Sequence, residues 1–259
     1  MALAGKEKEG ERVTGFSGDQ ANADNRGLIL GLENAWVQGR ATIERPAHLF
    51  AGFGCETDFR AGAFSYSKSF LPPRVQEIGR YCSIAQGVEF GHAEHPARWL
   101  STSSFTYDQH FMLGTEAGTT ASSLFRSLPL SDEARHRRIV IENDVWIGLD
   151  AYIRGGITLS NGCIVGARAV VTRDVPPFAI VAGVPAKVIG YRFSPEIIAE
   201  LQELAWWQYD FTQFEGVDVS DIAGAIERIR VLIGSGLTPY QPACLVLCSD
   251  LRVPAMECL

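Results

Sequence analysis

The sequence predicts an all-β solenoid that carries one long loop insertion and ends in α-helices. Three observations support this fold class: a six-residue repeat, a break in the phase of that repeat, and a change to helix signals near residue 193. The repeat is clearest from Ile141, where consecutive hexads read IENDVW, IGLDAY, IRGGIT, LSNGCI, VGARAV and VTRDVP. Neither the 3.6-residue period of a helix nor the two-residue period of an alternating strand produces this spacing.

Each hexad has the same chemical pattern. The fifth position is small or β-branched, and the first is aliphatic in all six: Ile141, Ile147, Ile153, Leu159, Val165 and Val171. One short strand and one corner fit into six residues, so three hexads close a triangular coil. Stacked coils then place equivalent positions above one another, and each coil buries its aliphatic residues against its neighbours. Cys82 and Cys163 fall in these apolar runs and are expected to fill the core as small residues.

The same register occurs earlier in the chain and is then lost. Hexads begin at Ile78, Ile84 and Phe90, and the phase returns only at Ile141. This gap predicts that an insertion of about residues 93–138 leaves the coil. Phe53 and Phe59 are also six residues apart, which indicates an earlier, degraded coil.

The segment from Phe193 carries helix signals. In FSPEIIAELQELAWW, Ser194 is expected to cap a helix and Pro195 to occupy its first position. The apolar stripe of this helix would be Ile197, Ile198, Leu201 and Leu204. A second amphipathic helix is expected near residues 220–233, and the apolar tail is expected to pack against the coil.

These patterns divide the chain into three parts. Residues 1–27 are expected to be a flexible N-terminal segment, residues 28–192 a β-helix domain that contains the insertion, and residues 193–259 a C-terminal helical segment and tail.

Composition excludes several classes of function. The net charge of −7 argues against a general nucleic-acid-binding protein, which would carry a basic surface. The basic run at residues 135–138 is either a solvated loop or a local anchor for a phosphate group. No run of about eighteen apolar residues predicts a membrane span, and the N-terminus lacks the apolar region of a signal peptide. We therefore expect a cytoplasmic protein whose six scattered cysteines are reduced.

Four motifs together resemble one protein family. NDVWIG, VVTRDVPP, IVAGVPAKVI and HPARWLSTSSF resemble the hexapeptide-repeat acyltransferases, over roughly residues 75–210. Within that family the chain is similar to the xenobiotic acetyltransferase branch, which includes type B chloramphenicol and streptogramin acetyltransferases and related sugar O-acetyltransferases. The resemblance implies a left-handed parallel β-helix, a homotrimer, and active sites between adjacent subunits with acetyl-CoA lying along the coil. The implied reaction transfers an acetyl group to a hydroxyl of a sugar or an antibiotic-like small molecule.

The resemblance also implies a catalytic residue. In the family, a histidine at the start of the insertion, ahead of a Ser-Thr pair, acts as general base. His95 in HPARWLST matches that position, and His92 is a weaker candidate. Glu94 is next to His95, but adjacency does not orient a side chain, so the partner of His95 stays open. Ser104 stands before Phe105 where the family often has proline, which puts the loop path and the acceptor pocket in doubt.

Substrate contacts carry over by motif. Acetyl-CoA contacts are expected from Trp146, Leu149, Ala167, Thr172, Arg173 and Lys187. The alternative for Leu149 and Ala167 is coil packing. For Trp146 it is a surface aromatic that covers a corner, and for Arg173 and Lys187 it is a solvated charge. The family often has a second basic residue three positions after the lysine; Gly190 stands there, so either Arg192 substitutes or the contact is absent. Acceptor contacts are expected from Trp99, Phe105 and Tyr107, or these aromatics only anchor the insertion.

Two alternatives to the acetyltransferase remain. A zinc enzyme on the same coil, such as a γ-class carbonic anhydrase, needs three histidine ligands. His92 and His95 could supply two, but His110 and His136 lie in the insertion without a ligand pattern and the hexads from Ile141 contain no histidine, so no metal is expected. The second alternative is a binding or scaffold protein that keeps the coil and lacks catalysis.

Overall fold

The chain winds into a parallel β-helix in the computed structural model, which describes residues 27–91, 94–103, 106 and 137–248. The strands are β1 (Leu28–Leu30), β2 (Trp36–Val37), β3 (Arg40–Glu44), β4 (Ala47–Leu49), β5 (Gly54–Cys55), β6 (Asp58–Ala61), β7 (Ser65–Ser67), β8 (Val75–Ile78), β9 (Ser83–Ile84), β10 (Glu89–Phe90), β11 (Ile139–Ile141), β12 (Trp146–Ile147), β13 (Tyr152–Ile153), β14 (Thr158–Leu159), β15 (Ile164–Val165), β16 (Val170–Val171), β17 (Ala179–Gly183), β18 (Ala186–Tyr191) and β19 (Cys244–Cys248). The predicted fold class, a left-handed parallel β-helix with an insertion and C-terminal helices, is confirmed.

Three sheets form the three faces of the coil. Face 1 has the order β1-β4-β7-β9-β12-β15-β17-β18, face 2 has β10-β13-β16, and face 3 has β14-β11-β8-β6-β3-β19. In the first coils, β2 and β5 occupy the place along the chain that face 2 takes later. The pairing is parallel except for β17 with β18 and β19 with β3. We name the corners by the faces that they join: the 1/2 corner, the 2/3 corner and the 3/1 corner.

The hexad residues stack as predicted. On face 1, Ile147 lies in register with Ile84 before it and Val165 after it, and on face 2 Ile153 lies between Phe90 and Val171 in the same way. The first positions of all six hexads are at most 2% exposed, and the small fifth positions are buried as well. Cys82 and Cys163 are part of this core, and burial raises the pKa of the Cys82 thiol to about 12.

The corners require a left-handed backbone at the fourth hexad position. Asp144, Asp150, Gly156, Gly162 and Arg168 all have φ between +55° and +83°. Glycine adopts this region freely and aspartate more readily than most residues, which explains why these types recur there. At the second position of the next hexad, a Cβ on Gly148 would lie 2.6 Å from the Ala167 nitrogen, so neighbouring coils touch backbone to backbone.

The upstream coils are more complete than the sequence indicates. The first strand of the described residues starts at Leu28, and β1, β4 and β7 pair in parallel one coil apart. The hexad pattern is hidden because buried serines replace aliphatic residues at inner positions. Ser65 Oγ donates a hydrogen bond to the Gly79 carbonyl at 2.7 Å and accepts one from the Cys82 N–H at 2.9 Å, so these polar groups are paired inside the coil.

The C-terminal segment covers the 3/1 corner. Helix α1 (Pro195–Leu204) is capped by Ser194 as predicted, and helix α2 (Ile222–Gly234) is capped by Asp221. Their apolar faces pack on Phe178 of the coil in one buried cluster. The tail contacts the coil through a strand that the sequence does not predict. This strand, β19, pairs antiparallel with β3.

No helix in the described part of the chain is long and apolar enough to cross a membrane. Residues 1–26 of the expected N-terminal segment lie outside the described part of the chain, and so does the tail beyond Cys248.

Shortening one stacked aliphatic residue should destabilise the whole coil. Ile147 is fully buried, and its replacement by alanine leaves a cavity that should lower the free energy of unfolding by about 2–5 kcal/mol. Val231→Ala on α2 is the control, since this half-exposed side chain should matter by less than about 0.5 kcal/mol. Chemical denaturation of both variants measures the difference, and equal values would contradict the stacked core.

Candidate active site

The candidate base lies where the chain leaves the coil. Gly91 is the last described coil residue before the insertion, and its N–H donates to the Ile153 carbonyl at 2.7 Å. A Cβ on Gly91 would lie 2.4 Å from the Gly155 nitrogen, so only glycine lets the chain depart this close to the 2/3 corner. The His95 side chain is on the exposed surface of the segment that follows.

The backbone carbonyl of Thr102 orients the His95 ring. Nδ1 of His95 lies 2.6 Å from the Thr102 carbonyl oxygen. A carbonyl can only accept, so Nδ1 carries the proton, and the neutral imidazole then has its lone pair on Nε2. The structure thus supplies the orienting partner that the sequence leaves open.

The loop around Thr102 is held by its own hydroxyl groups. Ser101 Oγ accepts a hydrogen bond from the Ser103 N–H at 3.1 Å. The buried Thr106 donates from its hydroxyl to the Ser103 carbonyl at 2.8 Å. The Ser-Thr-Ser cluster after Trp99 therefore forms a local turn that fixes the carbonyl facing His95.

Glu94 has a different partner from the one its position suggests. Its carboxylate accepts two hydrogen bonds from Arg154, Nε to Oε1 at 2.5 Å and Nη2 to Oε2 at 2.7 Å. The Arg154 guanidinium lowers the pKa of Glu94, so this carboxyl is ionised near neutral pH. Sequence reasoning missed Arg154; the available signal was an arginine at the second hexad position, eighteen residues before Thr172, where glycine is frequent.

Three of the expected acetyl-CoA residues follow one edge of the coil. Leu149 and Ala167 are neighbours at the 1/2 corner, where the Arg168 N–H donates to the Leu149 carbonyl at 2.8 Å. Lys187 pairs with Ala182, which stands one coil beyond Gly166, the residue before Ala167, at the same corner. All three side chains are exposed, so Leu149 and Ala167 do not fill the core.

The other expected acetyl-CoA residues lie elsewhere on the coil. Trp146 projects from face 1 between Ser83 and Ile164 and is 54% exposed. Thr172 and the exposed Arg173 lie at the 2/3 corner, which is the corner where the insertion departs. The structure therefore divides the predicted contacts between the two corners that border face 2 and the outer side of face 1.

Arg192 does not stand in for the missing basic residue. Its Nη1 lies 2.7 Å from Asp144 Oδ2 and 2.8 Å from the Gly162 carbonyl, at the 3/1 corner. Its guanidinium also stacks over the rings of Phe178 and Phe193. These contacts commit Arg192 to joining the coil to the helical segment. Of the two alternatives left by Gly190, the structure favours the absence of a second basic contact.

A cavity of about 610 Å³ lies at the 3/1 corner, away from His95. Apolar and aromatic residues of the coil and of both helices line it, including Tyr81, Trp206 and Phe211. Because the same residues pack the helices on the coil, we assign this space to the packing layer and not to the candidate active site.

Several predicted residues lie outside the described part of the chain. These are Phe105 and Tyr107 of the expected acceptor pocket, His92, and the other insertion histidines. Trp99 is half-buried, and the neighbouring Leu100 is fully exposed. Within residues 27–91, 94–103, 106 and 137–248, no three His, Cys, Asp or Glu side chains form a group that could hold a metal ion.

Comparison with known proteins places the chain in a family. A chloramphenicol acetyltransferase of Agrobacterium fabrum is 43% identical over 133 residues, which are 50% of this chain and 58% of that protein. A probable macrolide acetyltransferase of Lysinibacillus sphaericus is 33% identical over 155 residues, which are 59% of this chain and 80% of that protein. The chain belongs to the hexapeptide-repeat acetyltransferases. No protein-family model matches it.

The similarity covers only part of the length of the related proteins. The chain spans 58–61% of the length of four chloramphenicol acetyltransferases that it resembles. Among solved structures, a galactoside acetyltransferase in complex with coenzyme A aligns with a TM-score of 0.30 and 22% identity, over 62% of this chain and 70% of that one. This TM-score and this identity are too low to support a functional comparison.

Removing the guanidinium of Arg192 should destabilise the protein in a pH-dependent way. Burial raises the pKa of Asp144, and Arg192 opposes that rise. In Arg192→Met, the pKa of Asp144 should rise further. The folded state then loses stability at pH values where this carboxyl is ionised, and it loses less where the carboxyl is protonated. We expect a loss of about 1–3 kcal/mol at pH 7 that shrinks as the pH falls towards about 4.

The control is Arg230→Met, which breaks the more exposed ion pair with Glu200 and should cost less than about 1 kcal/mol. Denaturant unfolding at several pH values provides the measurement. A loss that does not depend on pH would show that the Asp144 carboxyl does not depend on Arg192.

Proposed function

We propose that the protein transfers the acetyl group of acetyl-CoA to a hydroxyl of a small-molecule acceptor, with His95 as general base. The observation that carries this proposal is the hydrogen bond between His95 Nδ1 and the Thr102 carbonyl. It selects the tautomer in which Nε2 can accept a proton, and it does so on an exposed side chain at the start of the insertion.

The reaction needs little from the protein beyond positioning. The acceptor oxygen attacks the thioester carbonyl while its proton moves to Nε2 of His95. The tetrahedral intermediate then collapses, the carbon–sulfur bond breaks, and the imidazolium returns the proton to the departing CoA sulfur. Because the thioester is already activated, holding both substrates in attack geometry supplies much of the rate. The charge on the ring is temporary, and the Thr102 carbonyl stabilises it through Nδ1–H.

We assign acetyl-CoA binding to the edge of the coil that carries Leu149, Ala167 and Lys187. The exposed Leu149 offers an apolar surface for the pantetheine chain, and Lys187 offers a cation for the phosphates. Trp146 on face 1 and Thr172 with Arg173 at the 2/3 corner are proposed as further contacts. Both corners border face 2, which supports one continuous binding surface.

The acceptor class has two candidates. A sugar hydroxyl is favoured by Trp99, whose half-buried ring can stack on a sugar face. An antibiotic hydroxyl is favoured by the names of the relatives, which are chloramphenicol and macrolide acetyltransferases. A CoA-release screen with sugars, nucleotide sugars, chloramphenicol and macrolides as acceptors separates the two.

A homotrimer is proposed for the assembly. The outward residues of face 1 form a column that is largely apolar, and it consists of Ile29, His48, Tyr66, Ser83, Trp146, Ile164 and Ile180. Exposed apolar surface of this extent commonly marks a contact with another chain. Light scattering should give three times the 28.3 kDa chain mass; a monomer would contradict the proposal.

Replacing His95 should remove most of the turnover and leave binding intact. We expect His95→Ala to lower kcat by about 10²–10⁴-fold, because the attacking hydroxyl loses its base. The KM for acetyl-CoA and the unfolding midpoint should stay near wild type. Glu227→Ala is the control, since this exposed side chain of α2 lies outside the proposed site and outside the face 1 column.

The same experiment tests the scaffold alternative. A wild-type chain that binds acetyl-CoA but releases no CoA with any acceptor would favour a non-catalytic β-helix protein. Full activity of His95→Ala on the true acceptor would show that another group is the base.

Removing the charge of Lys187 should weaken acetyl-CoA binding alone. A charge-assisted contact to phosphate contributes about 1–2 kcal/mol, so Lys187→Met should raise the KM for acetyl-CoA by about fivefold to thirtyfold. The kcat should stay near wild type, and the effect should shrink at high salt. Arg60→Met, which removes an exposed cation from β6, is the control. An unchanged KM would place the phosphates elsewhere.

A further inference from the structure

Both stems of the insertion meet at one place on the coil. On the exit side, Gly91 lies against the backbone of Gly155. On the return side, the Gly156 N–H donates to the Arg137 carbonyl at 3.2 Å, and a Cβ on Gly156 would lie 3.2 Å from the Arg137 Cβ. Residues 154–156 at the 2/3 corner thus contact the chain where it leaves and where it returns.

Arg154 joins this corner to the residue that precedes His95. Its two hydrogen bonds to Glu94 are parallel, Nε to Oε1 and Nη2 to Oε2. The planar guanidinium fixes the direction of a carboxylate as well as its distance, which a lysine could not do. Arg154 itself is held by the coil, since its N–H donates to the Val171 carbonyl at 2.9 Å. The position of Glu94 is therefore tied to the rigid part of the molecule.

The charges around Glu94 reinforce this contact. Arg137, on the returning stem, adds a second positive charge near the carboxylate, and together the two arginines lower the pKa of Glu94. Glu94 therefore stays ionised over the pH range in which a neutral histidine acts as a base.

We propose that Arg154 is a positioning residue for catalysis, which holds His95 in place by anchoring Glu94 to the 2/3 corner. The inference rests on the proposed function, because it assigns a role within that reaction. Thr102 fixes the direction of the His95 ring, and Arg154 fixes where the segment that carries the ring sits on the coil. Without this anchor, Nε2 moves relative to substrates that are bound along the coil.

The proposal predicts that activity and stability respond differently. A base displaced by about 1 Å can cost on the order of a hundredfold in rate. An exposed ion pair contributes little to global stability, and the Arg154 and Glu94 side chains are 38% and 47% exposed. Arg154 should therefore matter for turnover and scarcely for folding.

The test compares Arg154→Met with Arg230→Met. Arg230 pairs with Glu200 at 2.9 Å with exposures of 41% and 40%, so the two variants break ion pairs of similar exposure in different places. We expect Arg154→Met to lower kcat by about tenfold to a hundredfold, with the KM for acetyl-CoA within about twofold and the unfolding midpoint unchanged. Arg230→Met should match wild type in all three.

Two further variants test the pair itself. Arg154→Lys keeps the charge but loses the bidentate geometry, so its kcat should fall between those of wild type and Arg154→Met. The double variant E94R/R154E restores an opposite-charge pair. It should be more active than either of the single variants E94R and R154E. Hydrogen exchange by mass spectrometry should show faster exchange of residues 94–103 in Arg154→Met than in wild type or Arg230→Met.

The outcomes separate this inference from the proposed function. An active wild type with unchanged kcat in Arg154→Met overturns the role of Arg154 and leaves the proposed function standing. A fall in kcat with an equal loss in Arg230→Met, or without faster exchange in residues 94–103, also overturns it. A wild-type chain that transfers no acetyl group to any acceptor overturns both.

Discussion

The register between successive coils is the constraint on which the rest of the structure depends. Between Ile141 and Val171 a coil takes eighteen residues, so Ile147 meets Val165 on face 1 and Ile153 meets Val171 on face 2. A shift of one residue would turn the aliphatic side chains outward and bring the corner residues into the core. Because the buried columns fix this register, every outward side chain has a defined height and a defined face.

The register gives the three corners different roles. The 3/1 corner carries the helices, with Arg192 and Asp144 joining coil to cover. The 1/2 corner presents Leu149 and Ala167 on successive coils, and Lys187 lies near the same corner on β18, the antiparallel strand beside β17. The 2/3 corner holds both stems of the insertion and, through Arg154, the segment of His95. The packing of the helices thus lies at a different corner of the coil from the residues proposed for binding and catalysis.

The repeat made most of the fold predictable from the sequence. The hexads from Ile141, the departure after Phe90 and the Ser194 cap could all be recognised, because aliphatic spacing and capping residues act locally. The first coils were hidden by buried serines such as Ser65, whose partners come from the next coil. The strand at the tail was also missed, since a β-strand edge gives no signal about which edge it will meet.

The sequence proposes residues for the candidate site but does not reveal their contacts. The motif makes His95 the candidate base, but the partner of His95 is a backbone carbonyl, which the identity of Thr102 does not reveal. Glu94 is next to His95 in the sequence, yet its carboxylate accepts hydrogen bonds from Arg154, sixty residues away. Arg192 had the charge expected of a phosphate contact, but it is paired with the half-buried Asp144. Ion pairs between residues far apart in the sequence depend on the folded coil, and the local spacing of residues does not predict them.

The most direct test of the account is acetyl transfer by the wild-type chain. Purified protein would be incubated with acetyl-CoA that carries an isotopic label on the acetyl group, together with the acceptor panel, and products would be read by mass spectrometry. We expect a labelled ester on one acceptor class, with stoichiometric release of CoA, and neither product in the absence of protein. Release of CoA without a labelled acceptor, or no release at all, would contradict it.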